Sequence, residues 1–252
     1  MANDKERGHE FLARLGKTRL RPGGREATNW LIEKGNFNPD SQVLEVACNM
    51  GTTLVALVQR FQCQATGLDI SPPALAKAEE NIEKAQLRHK ITLVEGNALS
   101  LPFPDNHFDV VINEAMLSMF PHETKKKFLE EYHRVLKPGG CLLTHDLRIT
   151  DKVSEEFLPN LNKIINVNAQ PLSEKGWRDL LGSVFTDVTA KTGAMSLMSP
   201  RGMIHDEGLF GTLKIIRNAL RKENRERFQS MFRMFRQNRE YIGYFAACSI
   251  KT

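Results

Sequence analysis

The feature that most constrains the fold is a regular alternation of short apolar segments with helical patterns. Apolar residues between the segments recur at the three-and-four spacing of a helix with one buried face. Strands that alternate with helices predict a parallel sheet covered on both sides, and ligands bind such sheets at the carboxyl edge. The candidate strands are short and rich in β-branched residues, as buried strands are, and span 42–46, 65–69, 91–95, 108–113 and 140–147.

The pattern is less regular after residue 150. Residues 151–168 predict an irregular helix, and Ser173 is a candidate N-cap for a helix that runs through Trp177 and Leu181. The final hundred residues further predict a strand at 184–191, one or two amphipathic helices over 210–237 and a last strand at 241–251. We expect a single domain with an N-terminal cover (1–38), a core (40–150) and a cap with the last strands (151–252).

The composition is that of an ordinary globular protein, with 41% hydrophobic and 26% charged residues among 252. The opening MANDKERGHEF is charged where a signal peptide would be apolar, so we expect a cytoplasmic protein. The cysteines form no CxxC pair, which disfavours a zinc site and fits reduced thiols, and they are Cys48, Cys63, Cys141 and Cys248.

The most informative motif joins the first strand to the next helix and reads VLEVACNMGTT from Val43 to Thr53. Small residues let a ligand lie against the backbone of the turn, and the exposed N–H groups at the helix start suit an anionic group such as a carboxylate. Any nucleotide-binding turn would share these properties.

Two polar positions follow the next strands. Asp69 ends its strand 18 residues after Gly51, where a carboxylate grips the ribose hydroxyls in nucleotide-binding folds; the alternative is an N-cap of the following helix. Asn97 beside Ala98 follows the third strand and could read an adenine edge, although alone it indicates only a turn.

The succession LEVACNMG, GLDIS, EGNALSLPFPDNHFDVV and HRVLKPGG, over about residues 40–150, resembles the class I S-adenosyl-L-methionine (SAM)-dependent methyltransferases. Within them it is nearest the small-molecule branch of ubiquinone and menaquinone biosynthesis. The resemblance implies an α/β, Rossmann-like, seven-stranded, mostly parallel sheet with helices on both faces and a C-terminal antiparallel strand. It also implies SAM as the cofactor.

The resemblance further implies which residues hold SAM. Asp69 would bind the ribose, Ile70 would pack on the adenine, and Asn97 with Ala98 would hold its amino edge. The usual glycines of the first motif are replaced up to Gly51, which leaves its turn geometry open. The full set of implied cofactor residues is Glu45, Ala47, Cys48, Asn49, Gly51, Asp69, Ile70, Asn97, Ala98, Asn113 and Glu114.

The N-terminal segment of related enzymes often folds over SAM, so Arg19 or Arg21 is a candidate partner of its carboxylate. A surface turn with solvated arginines is an equal alternative. Cys48 has no evident base in the sequence, and a nucleophilic role for it is disfavoured.

Methyl transfer is an in-line displacement that needs positioning rather than a metal, and most acceptors must also lose a proton. Of the candidate bases Glu114, His122, His145 and Asp146 we favour Asp146 and His122, with a hydrogen-bonded structural role as the alternative. Strand alternation places His145 and Asp146 on opposite faces. The acceptor pocket is expected from 1–30, 114–122, 151–170 and 193–210, where the methionine-rich stretch 195–203 lines it or packs in the core.

The net charge of +5 resides in the last quarter of the chain, where residues 201–252 hold eleven Lys or Arg against five Asp or Glu. The apolar stripe Phe228, Met231, Phe232 and Phe235 lies among arginines. The favoured interpretation is a helix packed on the core with a solvated basic face. Peripheral contact of this basic C-terminal helix with anionic lipid and contact with nucleic acid are the alternatives.

The leading functional hypothesis is methyl transfer to a small, hydrophobic metabolite as the partner. An RNA or protein methyltransferase is a second hypothesis, weakened because no NPPY-type motif stands at 113–116. A SAM-binding protein without turnover is a third. An NAD-dependent oxidoreductase is disfavoured because GxGxxG is absent. The sequence does not predict the oligomeric state.

Overall fold

A seven-stranded sheet forms the centre of the computed structural model, which describes residues 6–252. The strands are β1 Gln42–Val46, β2 Gln64–Asp69, β3 Ile91–Glu95, β4 Phe108–Glu114, β5 Leu136–Ile149, β6 Asp187–Ala194 and β7 Ile242–Ile250. Their order is β3-β2-β1-β4-β5-β7-β6. The first five strands pair in parallel, and β7 runs antiparallel to both β5 and β6. This confirms the predicted fold class.

Helices cover the sheet and its carboxyl edge. They are α1 Gly8–Leu15, α2 Gly24–Lys34, α3 Thr52–Phe61, α4 Pro72–Lys84, α5 His122–Val135, α6 Phe157–Ile165, α7 Glu174–Gly182, α8 Pro200–Ala219 and α9 Lys222–Gln237. The side chains of Ser71 and Ser173 accept hydrogen bonds from the N–H groups of Ala74 and Gly176, so the N-cap predicted at Ser173 is confirmed. Among the described residues no helix is both long and apolar enough to cross a bilayer.

Some element boundaries in the last third differ from the sequence prediction. The sixth strand is β6 Asp187–Ala194 rather than 184–191, since α7 and its C-terminal turn extend to Phe185. Helix α8 begins at Pro200, ten residues before the predicted start, because Ser199 caps it and proline suits the first helical position. The helix predicted over 151–168 is confined to Phe157–Ile165.

Strand alternation sends neighbouring residues to two separate cores. On one face Leu142 and Phe245 pack with Trp177 of α7, and on the other Leu143 and Tyr244 pack with Leu31 and the α3 side chains. Both faces are therefore buried, as the near-continuous apolar strands indicate.

A third core closes the carboxyl edge of β5. It joins α1, α6, α8 and α9 through Phe11, Leu161, Ile215, Met231 and Phe235. Met231 and Phe235, which belong to the apolar stripe predicted among the arginines, are buried here. The favoured interpretation of α9, a helix packed on the core, agrees with this placement.

The N-terminal cover is clasped to α8 by buried charges. Lys17 lies 3.5 Å from Asp206 and 3.4 Å from Glu207, and all three side chains are nearly inaccessible. Glu207 also accepts the N–H groups of Thr18 and Arg19. This clasp fixes where the chain between α1 and α2 meets the sheet.

Candidate functional site

The turn between β1 and α3 adopts the left-handed conformation at every second residue. The φ angles are 56° at Ala47, 49° at Asn49 and 66° at Gly51. These are positions at which the family motif favours glycine, since only Asn and Gly visit this region at low cost. The backbone geometry of the motif is therefore present although two of the three residues are not glycine.

Cys48 lies buried within this turn. Burial and the nearby carboxylates of Glu45 and Asp69 raise the pKa of its thiol well above the usual range. A thiol that stays protonated is a poor nucleophile. The position of Cys48 agrees with a packing role.

The Asp69 carboxylate connects the end of β2 to the motif turn. Its Oδ2 accepts the Asn49 N–H at 2.9 Å, and its Oδ1 accepts the Ser71 N–H at 2.9 Å. The N-cap of α4 is Ser71 itself. Asp69 thus faces the turn, and each of its oxygens keeps a lone pair for a further donor.

Two other predicted cofactor residues stand at the same rim. Ile70 is 69% exposed, an unusual placement for a large apolar side chain directly after a buried strand. Asn97 is exposed, and its Oδ1 accepts the Leu99 N–H at 2.9 Å, while Ala98 is buried. Ile70 and Asn97 are thus exposed after the ends of β2 and β3, whereas Ala98 packs in the interior.

Arg21 enters the site from the N-terminal cover. It forms an ion pair with Glu114, donates to Thr53 Oγ1 at 2.5 Å and to Thr28 Oγ1 at 3.1 Å, and lies 3.9 Å from Glu45. The structure therefore excludes the solvated surface turn for Arg21. Its counterpart Arg19 lies elsewhere and contacts the Asp206 carbonyl at 3.5 Å.

The two carboxyl groups beside Arg21 differ in pKa. Burial raises the pKa of Glu45 to about 8 against the attraction of Arg21, and the charge of Glu114 adds to this effect. Burial would also raise the pKa of Glu114, but Arg21 and His145 outweigh it and lower the value to about 2. Near neutral pH the guanidinium therefore faces one ionised carboxylate, Glu114, while Glu45 is mostly protonated.

His145 links this network to the cover. Its Nε2 accepts the Gly23 N–H at 3.0 Å, and its Nδ1 lies 2.9 Å from Glu114 Oε1. A backbone N–H can only donate, so Nε2 acts as the acceptor and Nδ1 is the nitrogen that donates to Glu114. Both nitrogens are thus engaged, which makes His145 a positioning residue rather than an available base.

Two buried oxygens at the strand ends have no hydrogen-bond donor among the described residues, namely Glu45 Oε2 and Asn113 Oδ1. Asn113 is fully buried and its Nδ2 lies 3.4 Å from the Val46 carbonyl. Buried acceptors without donors are costly unless a ligand or water satisfies them. Glu45 is mostly protonated near neutral pH, so it is Asn113 Oδ1 that points to a bound group with an N–H donor.

An apolar cavity of about 100 Å³ opens at the carboxyl ends of β4 and β5. All four segments predicted to build an acceptor pocket contribute to it, for example through Leu20, Met119, Ile165 and Met195. Helix α9 also contributes Met231 and Phe235, which the sequence prediction omitted. Of the methionine-rich stretch, Met195 and Leu197 line the cavity, whereas Met198 and Met203 are core residues.

Two titratable side chains line this cavity, Asp146 and His9. Asp146 is fully buried, accepts the Ser118 N–H at 3.0 Å and the Leu147 N–H at 2.6 Å, and has its pKa raised by burial. Burial also lowers the pKa of His9, so its imidazole is neutral at physiological pH. The sequence prediction missed His9, because a lone histidine in an N-terminal helix carries no motif.

The second predicted base is not near this cavity. His122 is the exposed first residue of α5 and is absent from the cavity wall. His145 and Asp146 face opposite sides of β5 as alternation requires, because His145 contacts Tyr244 and Asp146 contacts Ser118.

A wide groove of about 1200 Å³ borders the cavity from outside. Met195 and Phe235 line both spaces and so form the wall between them. Glu26 and Glu33 of α2 lie on one side of the groove, with Arg236 and Arg239 from the end of α9 on the other.

Comparison with known proteins agrees with this geometry. A family model described as a methyltransferase domain matches residues 43–140. An uncharacterized protein from Haemophilus influenzae is 54% identical over the full length of both chains. The demethylmenaquinone methyltransferase of Lactiplantibacillus plantarum is 37% identical over 106 residues, which are 41% of this chain and 44% of that protein. The match thus spans less than half of that relative's length.

A solved structure titled crystal structure of MccD protein superposes with a TM-score of 0.75 at 23% identity and covers 91% of this chain and all of that one. At this identity the likeness shows the fold. With the matched domain, the ordered motifs and the sheet order, the chain belongs to the class I SAM-dependent methyltransferase family.

Proposed function

We propose that this protein transfers a methyl group from SAM to a small hydrophobic metabolite. The observation that carries the proposal is the apolar cavity at the ends of β4 and β5, which is lined by Pro22 and Ala115, the chain neighbours of the paired Arg21 and Glu114. Its walls hold two titratable groups in an otherwise apolar surface. A site of this kind suits an apolar acceptor with one polar reacting atom. In this arrangement residues 6–38 of the predicted cover lie over the site and 151–252 cap its acceptor side, while residues 1–5 lie outside the described residues.

The chain's own residues fit SAM at the strand ends. The N–H groups at the start of α3 would face a carboxylate beside the turn from Ala47 to Gly51, and Asn113 Oδ1 would accept from its ammonium group. Asp69 would hold the ribose hydroxyls, and the exposed Ile70 would cover the adenine beside Asn97 and Ala98. Glu45, Cys48 and Glu114 would complete this wall through packing and the Arg21 network.

SAM, when bound, supplies a methyl group already activated by its sulfonium. The protein's task is to exclude water and hold the acceptor in line, and such positioning contributes about 7–11 kcal/mol in well-oriented reactions. Neutral His9 is the better candidate to take the acceptor's proton, since both oxygens of Asp146 already accept backbone N–H groups. Asp146 then orients Ser118 at the cavity wall.

The test is methyl transfer from radiolabelled SAM into organic-solvent extracts of cells that lack this gene. The proposal expects a labelled product of low molecular mass that partitions into the organic phase. His9→Gln should lower kcat at least tenfold with little change in SAM affinity, whereas His122→Gln is the matched control and should act like wild type. A parallel assay on the whole lysate of the same cells in which label enters only RNA or protein would assign a macromolecular acceptor instead. SAM binding without product in either assay would indicate a non-catalytic protein.

A further inference from the structure

The second half of α8 presents an apolar stripe to solvent. Leu209, Leu213, Ile216 and Leu220 follow one another at intervals of four, three and four residues and are 58%, 53%, 37% and 62% exposed. This spacing places them on one face of a helix. Phe210 adjoins the stripe and is 86% exposed. Single exposed apolar residues are ordinary, but a contiguous stripe marks an interaction site.

The backbone sets this segment apart from the first half of the helix. Gly208 breaks the helix with φ 72° and ψ 175° immediately before the stripe begins. On the opposite side of the segment Thr212, Ile215 and Ala219 are buried. The segment is thus anchored by its inner face while its outer apolar face is left without a protein partner among the described residues.

The charges beside the stripe have a single sign. From residue 209 to 222 the chain contains Lys214, Arg217, Arg221 and Lys222 and no Asp or Glu. All four side chains are exposed, and none forms an ion pair with any residue from 6 to 252. Their charges are therefore free for an anionic partner.

We propose that the outer face of α8, Leu209 to Lys222, docks on the surface of an anionic lipid bilayer. Helices that lie in a membrane interface combine an apolar stripe with flanking Lys and Arg, which is the arrangement found here. The docking face is α8 rather than α9, because the phenylalanine stripe of α9 packs on the third core. The inference does not rest on methyl transfer, since none of these residues lines the cavity.

A second copy of the chain fits this face less well. Its exposed acidic cluster on α4 is already neutralised, as Glu80 pairs with Lys77 and Arg88 pairs with Glu79 and Glu83. Carboxylates that already form local ion pairs offer little further electrostatic attraction to the basic face of α8 in a second copy. Phospholipid headgroups offer unpaired negative charge above an apolar layer.

The experiment is flotation of the full-length protein with two kinds of vesicle. One contains phosphatidylcholine alone, and the other contains phosphatidylcholine with about 30% phosphatidylglycerol, which makes the surface strongly negative. We expect binding to the anionic vesicles only, and a loss of binding between low and high salt. Phe210→Ser/Leu213→Ser and Lys214→Gln/Arg217→Gln should each weaken binding at least tenfold. Arg225→Gln/Arg233→Gln, on the exposed face of α9, is the matched control and should bind like wild type.

Three results would overturn the proposal. They are equal flotation with neutral and anionic vesicles, no flotation with either, and a loss in the α9 control as large as in the α8 variants. A dimer in solution that Phe210→Ser/Leu213→Ser converts to monomer would assign the face to a second copy instead. SAM affinity of the α8 variants should stay at the wild-type value, so a failure here is distinct from a failure of the proposed methyl transfer.

Discussion

Glu114, the last residue of β4, lies in register with His145 of the neighbouring parallel strand β5, and His145 Nδ1 is 2.9 Å from Glu114 Oε1. The other ring nitrogen accepts the Gly23 N–H of the cover. A single imidazole therefore connects the N-terminal cover to the charged network at the strand ends. The fit is close, because a Cβ at Gly23 would come within 2.6 Å of Tyr244.

Replacement of His145 should loosen this connection. His145→Ala leaves the Gly23 N–H without its acceptor, whereas Glu114 Oε1 keeps the Thr28 hydroxyl at 2.8 Å. An unpaired buried group costs about 1–3 kcal/mol. Amide hydrogen exchange at Gly23 should accelerate together with the fall in urea midpoint. His89→Ala, at an exposed position, is the control. Unchanged exchange at Gly23 would show that the imidazole does not hold the cover.

The two arginines of the cover should differ in their effect on stability. Arg21→Gln removes the cation from a buried pair and leaves Glu114 charged without its main partner, which costs about 3–5 kcal/mol in comparable buried pairs. Arg19→Gln removes a weaker contact to a carbonyl and should cost less than about 1 kcal/mol. Urea denaturation of both variants measures the difference. Equal losses would contradict the separation of the two side chains.

Ala47 occupies a conformation that costs an L-residue about 1–2 kcal/mol. Ala47→Gly relieves this strain and adds backbone entropy to the unfolded chain worth about 0.5–1 kcal/mol, so the free energy of unfolding should rise slightly or stay level. Ala47→Val should lower it by more than about 1 kcal/mol, because a β-branched side chain tolerates this region poorly. If Ala47→Val raised the free energy of unfolding and Ala47→Gly lowered it, the left-handed conformation at Ala47 would be refuted.

Glu45 should make stability fall with rising pH. Its folded pKa, about 8, lies above the ordinary value of 4.5, so the folded protein binds the extra proton throughout this window. The stabilisation is complete below pH 4.5 and is lost as the pH rises through 8. Glu45→Gln removes this loss, so relative to wild type it should gain more than about 1 kcal/mol between pH 5 and pH 8. Glu95→Gln, exposed at the end of β3, should track wild type.

The core of the fold was predictable because its information is local. Periodicity predicted the bounds of β1 and β3 to the residue. The side chains of Ser71 and Ser173 cap the helices that follow them, and such caps are local in sequence. Beyond residue 150 boundaries depend on tertiary contacts. Helix α8 begins at Pro200, within a methionine-rich stretch that indicated packing rather than a helix. The break at Gly208 in the same helix is not visible in the periodicity of the apolar residues.

The candidate site was predictable to the extent that it follows strand ends. Asp69 contacts the motif turn because Asp69 is the last residue of β2 and the turn follows β1, the strand paired with β2. His9 and Arg21 reach the site from the cover, and their positions depend on the clasp between Lys17 and the acids of α8, which joins residues some 190 apart. His122 was proposed as a base because it follows β4 closely in the sequence. In the structure it is the exposed first residue of α5 and does not line the cavity.

The most direct measurement of the central claim is isothermal titration of the protein with the demethylated product of SAM. The account predicts saturable one-to-one binding that Asp69→Asn weakens at least tenfold and that Glu95→Gln, its register partner on β3, leaves unchanged. No binding to the wild-type protein, or equal binding to the Asp69→Asn variant, would contradict the assignment of this strand edge to the cofactor.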